Sequence, residues 1–152
     1  MIEELSSQSM SASFLLRSLT SHERHPHLLL DCNEVEVECI RLGLLQWGAA
    51  PVRYIKLPGV LTLPSKGRGT LLLEGVHRLT LSQQIALYDW MTWGGRNTQV
   101  ISLTTAAIDG LVKSGRFLEG LFYRLNMVRL DIRSSPPAGQ PLAVAARQGE
   151  RS

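Results

Sequence analysis

Four short apolar runs, set between segments of helical spacing, constrain this chain more than any other feature. Leu28-Leu29-Leu30-Asp31-Cys32, Thr70-Leu71-Leu72-Leu73, Val100-Ile101-Ser102-Leu103-Thr104 and Val128-Arg129-Leu130-Asp131-Ile132 each have the length and apolar content of a buried strand. Between the first two runs, residues 34–45 repeat apolar side chains every three or four positions. Val35, Val37, Ile40, Leu44 and Leu45 are expected to share one helical stripe, with Asn33 as the cap. A second helix is predicted from about Leu81, capped by Thr80 or Ser82, carrying Ile85, Leu87, Tyr88 and Met91, and ended by Gly94-Gly95. Two short helices follow over residues 107–125. Strands that alternate with helices make an α/β protein with a parallel sheet and right-handed crossovers.

The chain of 152 residues accommodates one such domain and a tail. Residues 1–13 are serine-rich and short of apolar side chains, which predicts a poorly ordered start; residues 14–132 hold the core pattern. From residue 133 the Ser-Ser-Pro-Pro run and the alanine-rich end predict a disordered tail. Prolines and glycines over residues 47–69 predict a loop with one short extended piece at Val52-Arg53-Tyr54-Ile55. No apolar run approaches the roughly 18 residues of a membrane span, and the start lacks a secretory pattern, so a cytoplasmic protein is expected. Cys32 and Cys39 lack the spacing of a zinc site and are expected to be buried reduced thiols. The net charge of +3 is mild and its basic residues are scattered, so direct nucleic-acid binding is not indicated.

Two stretches carry functional information. Gly69-Thr70-Leu71-Leu72-Leu73-Glu74 is a strand that ends in a carboxylate, at the sheet end where α/β proteins bind ligands and where an acidic group commonly holds a nucleotide's magnesium. Taken alone, it reads more often as a core strand whose last residue reaches solvent. The second stretch, Gly115-Arg116-Phe117-Leu118-Glu119-Gly120-Leu121-Phe122-Tyr123-Arg124-Leu125-Asn126, is rarer.

With these two stretches in this order, the chain resembles the AAA+ domain of bacterial enhancer-binding proteins, the ATPases that activate RNA polymerase carrying sigma-54. The likeness spans residues 14–132. It implies a P-loop NTPase-like three-layer fold, a parallel sheet with flanking helices. Gly69 to Val76 stands in place of that family's Walker B strand, Val100 to Thr105 is similar to its sensor strand, and Leu28 to Cys32 looks like the strand before the first long helix. Gly115 to Asn126 matches the family segment Gly-Arg-Phe-Arg-x-Asp-Leu-Tyr-Tyr-Arg-Leu-Asn.

The same resemblance implies that the chemical groups are gone. The Walker A loop would fall on residues 6–13 with Ala12 in place of the lysine that neutralises phosphates. Glu74 replaces the magnesium aspartate, Gly75 the glutamate that polarises water, and Thr105 the sensor asparagine. Leu118 replaces one arginine finger while Arg124 survives. The Gly-Ala-Phe-Thr-Gly-Ala loop that grips the sigma factor is not found, Ala49-Ala50-Pro51-Val52 being its nearest neighbour; the lid is absent, and no helix-turn-helix follows. Only Met1-Ile2-Glu3-Glu4-Leu5 is left for the strand that precedes the Walker A loop, so the central strand is expected to be missing or weak.

The reading is a non-catalytic, pseudo-ATPase domain acting in bacterial transcription regulation through protein contacts, with AAA+ activator homologues or sigma-54 RNA polymerase as partners. No cofactor or metal is expected. A weak ATPase with ATP and magnesium held through Glu74 is the competing reading, and a decayed gene product without function is the third. His22, His25 and His27 read as an exposed loop rather than a ligand set, and Trp90 and Trp93 as either core packing or an interaction patch.

Overall fold

The computed structural model describes residues 19, 25–65 and 68–133. Their elements run β1 (Leu28–Asp31), α1 (Glu34–Trp47), β2 (Val52–Lys56), β3 (Arg68–Glu74), a 3-10 turn (Val76–Arg78), α2 (Leu81–Trp93), β4 (Asn97–Thr104), α3 (Ile108–Lys113), α4 (Glu119–Leu125) and β5 (Val128–Asp131). The strands form one parallel sheet in the order β2-β3-β4-β1-β5.

The leucine-rich runs are strands because each is buried on both faces. Leu28, Leu30, Leu72, Ile101 and Leu103 point to one side, where they meet Val37 and Leu44 of α1. Leu29, Leu71, Leu73 and Val100 point to the other, against Leu87 and Met91 of α2 and Leu121 and Leu125 of α4. A period of two side chains per repeat makes this division automatic once both faces are covered. Each fully buried leucine stabilises the fold by about 1.5–3 kcal/mol relative to exposure.

β1 pairs with β4 on one side and with β5 on the other along its whole length, Leu28 facing both Ile101 and Val128, so the described sheet is continuous. Residues 1–5, the candidate first strand, lie outside the described residues. The extended piece expected at residues 52–55 is β2, a full member of the sheet paired with β3.

Two details of α1 correct the sequence reading. Its buried stripe is Val37, Ile40, Leu44 and Trp47, whereas Val35 is 87% and Leu45 38% exposed. Cys39, expected to be buried, is exposed; Cys32 is buried. The apolar residues of α1 are spread around most of its circumference, so spacing alone left two faces open. Trp90 joins the core and donates from Nε1 to Pro64 O (2.8 Å), while Trp93 is exposed.

Candidate functional site

β1 and β4 are neighbours, yet their outgoing chains leave on opposite faces. β1 leads to α1 on one face; β4 leads to α3 and α4 on the other. That divergence makes a switch point at the carboxyl ends of the strands, the place where α/β sheets bind ligands.

A phosphate-binding loop needs room between strand and helix and free amides at the helix start. Here only Cys32 and Asn33 separate β1 from α1. Glu36 folds back and its carboxylate accepts from Asn33 N (2.9 Å), and Glu34 adds a second negative charge to the first turn. Those carboxylates already complement the positive end of the helix dipole and repel an incoming phosphate. Ala12, the residue placed at the Walker A lysine, lies outside the described residues.

Glu74 ends β3 as expected, and it is occupied. Tyr54 of β2 donates its hydroxyl to Oε1 (2.8 Å), Arg41 of α1 donates Nη1 to the same oxygen (3.2 Å), and Lys56 Nζ lies 3.9 Å from Oε2. Arg41 also lies over the Tyr54 ring, 5.5 Å from its centroid. Burial, then the bond to Glu74, pushes the Tyr54 hydroxyl above its usual range, so it stays a donor. The Glu74 carboxylate is thus engaged by side chains from two neighbouring elements, α1 and β2. Among the described residues no group of three or more His, Cys, Asp or Glu is placed to hold a metal ion.

Gly75 follows at φ 80°, in the left-handed region, and a Cβ there would come within 2.8 Å of Leu57 O. The position of the expected water-polarising glutamate is therefore one that no side chain enters without strain.

A cavity of about 340 Å³ opens at the ends of β1, β4 and β5. Its wall is an ion-pair cluster that sequence reading missed. Arg129 donates to both oxygens of Asp31 (Nε–Oδ2 2.8 Å, Nη2–Oδ1 3.2 Å) and through Nη1 to Asp109 (2.8 and 3.0 Å). Those bonds raise its already high pKa further. Arg133, also at the cavity, pairs with Asp131. Both guanidinium groups are therefore committed to carboxylates and present little unpaired charge to an anion. Cys32 at the same wall is an inert thiol, its pKa pushed up to about 12 by burial and by Glu36, Asp31, Glu34 and Glu74 around it.

The sensor position also differs from expectation. Thr105 lies beyond the strand, exposed, 3.4 Å from Glu34 Oε1. Thr104 is the buried end of β4; its hydroxyl donates to Ala106 O (2.9 Å) and sits 3.2 Å from His77 Nδ1. Burial and the neighbouring Arg78 lower the pKa of His77.

Residues 115–126 have a structural explanation. Phe117, Leu121 and Leu125 fill the core, and Gln84, 1% exposed on α2, pins the loop before α4. Its Nε2 donates to Leu79 O (3.1 Å) and Arg116 O (3.0 Å), while Oε1 accepts from Leu118 N (2.8 Å). Arg124 lies 4.5 Å from the centroid of the Tyr88 ring, a contact within its own chain. No sequence signal marked Gln84, since a polar residue on a predicted helix reads as surface. His27 contradicts the exposed-loop reading: its Nδ1 accepts from Val100 N (3.0 Å), and burial, then Arg124, lowers its pKa to about 4.

Comparison with known proteins places this geometry. No family model matches the sequence, and the search of curated proteins finds no match. NtrX from Brucella abortus in complex with ATP superposes with a TM-score of 0.66 at 14% identity, over 82% of this chain and 37% of that one. The P-loop NTPase domain of the sigma-54 transport activator from E. coli superposes with a TM-score of 0.54 at 18% identity, over 88% of this chain and 97% of that domain. The fold is that of a P-loop NTPase domain. The likeness is one of α/β fold, and this chain spans little more than a third of the NtrX chain.

Proposed function

We propose that this chain is a non-catalytic domain of sigma-54 activator-like fold that works in bacterial transcription control through protein contacts and without nucleotide chemistry. One observation carries the reading: Arg41 and Tyr54 engage Glu74, the residue that the resemblance puts in place of the magnesium aspartate. The two-residue passage from β1 to α1 supports it, because that passage is too short to wrap a phosphate. The transcriptional role rests on the likeness of fold and on the match of residues 115–126. AAA+ activator homologues or the sigma-54 polymerase are the partners this reading names.

Isothermal titration with magnesium and ATP, run beside a phosphate-release assay, tests it. No saturable heat below roughly 1 mM ATP and no turnover are expected. Micromolar affinity with hydrolysis would overturn the proposal.

A further inference from the structure

The two edges of the sheet differ in a way that the nucleotide question does not touch. β2, at one edge, carries Arg53 and Lys56 and no acidic residue, so like charges oppose its pairing with a copy of itself. β5, at the other edge, reads Val-Arg-Leu-Asp and continues with Ile132 and Arg133. Among the described residues no strand pairs with its outer side.

The backbone of β5 states which register a second copy can use. Val128 N donates to His27 O (3.1 Å) and Ile132 N to Asp31 O (2.8 Å), so the even-numbered amides face β1. With a period of two, the amides of Arg129 and Asp131 face outward. An antiparallel partner must set outward residues opposite outward residues. Centring on Arg129 or on Asp131 would oppose like charges at the centre. Centring on Leu130 sets Arg129 opposite the partner's Asp131 and Asp131 opposite the partner's Arg129, both as hydrogen-bonded pairs. On the other face it brings Leu130 to the partner's Leu130 and Val128 to the partner's Ile132, all half-buried apolar residues in this chain.

We propose that the outer edge of β5 pairs antiparallel with the same edge of a second copy of this chain, in the register centred on Leu130. Arg129 keeps its bonds to Asp31 and Asp109 and Asp131 its bond to Arg133, so the register is selected less by new ion pairs than by keeping like charges apart and by setting Val128, Leu130 and Ile132 against the partner's apolar residues. The contact is short, so the dimer is weak, with a dissociation constant on the order of 100 µM. The inference rests on the sheet edge alone and stands even if the chain binds nucleotide.

Sedimentation equilibrium of the full chain over a concentration series is the test. A monomer–dimer equilibrium is expected, and Asp131→Lys weakens it about tenfold by opposing two basic residues in each symmetric pair. In a Cys39→Ser background, Leu130→Cys is expected to form a disulfide-linked dimer under mild oxidation, because the central pair is a non-hydrogen-bonded one with close Cβ atoms. Val128→Cys, which faces the partner's Ile132, is expected to form no disulfide cross-link. Circular dichroism checks that each variant is folded, and the Asp131→Lys result decides alone if Leu130→Cys is not. A chain that is monomeric to roughly 1 mM overturns the proposal. So does a dimer indifferent to Asp131→Lys, or one that cross-links as readily through position 128 as through 130.

Discussion

Restoring a glutamate at position 75 tests whether the altered site is a matter of side chains or of backbone. Gly75 sits at φ 80°, and a Cβ would lie 2.8 Å from Leu57 O, a backbone atom that is itself tied in place because Leu57 N donates to Glu74 O (2.8 Å). A left-handed conformation costs an L-residue about 1–2 kcal/mol, and pushing a carbonyl out of contact adds a similar amount. Gly75→Glu and Gly75→Ala are therefore both expected to lose about 2–4 kcal/mol, since the strain arises at Cβ and not at the carboxylate. Urea denaturation with and without magnesium and ATP measures both losses. Magnesium and ATP are expected to restore nothing to Gly75→Glu, and no hydrolysis is expected from it. The reasoning is refuted if either variant is as stable as the parent, or if Gly75→Glu alone recovers stability with nucleotide and turns it over.

Two further expectations follow from buried polar groups. The unfolded His27 imidazole titrates near 6.5 and the folded one at about 4, so between those values the unfolded chain binds a proton that the folded chain refuses. Stability is full above pH 6.5 and falls by about 3 kcal/mol as pH drops through that window; His27→Asn, followed by urea midpoints at several pH values, is expected to flatten this slope. Gln84→Ala strips partners from Leu79 O, Arg116 O and Leu118 N at a site 1% exposed, and is expected to cost about 3 kcal/mol in urea denaturation, with hydrogen exchange rising first over residues 115–118. A loss below about 1 kcal/mol would show that water takes over those bonds.

How much of the site was legible follows from the range of the interactions involved. Glu74 at the end of its strand could be read from residues 69–74, and the packing of Phe117, Leu121 and Leu125 from the spacing within 115–126, because both depend on neighbours in sequence. The partners of Glu74 could not. Tyr54 stands 20 positions away and Arg41 33, brought together only when β2 pairs with β3 and α1 lies across the same face. Arg129 joins Asp31 across 98 positions for the same reason.

Local pattern by itself determined the alternation of strands and helices, the burial of the leucine runs and the α/β class, since hydrophobic periodicity acts over one or two turns of chain. Tertiary structure alone decided that β1 lies between β4 and β5, which face of α1 is buried, that His27 is enclosed, and that the acidic end of β3 is already engaged. Those outcomes rest on contacts between segments far apart in sequence, whose energies exist only after the sheet has closed the distance.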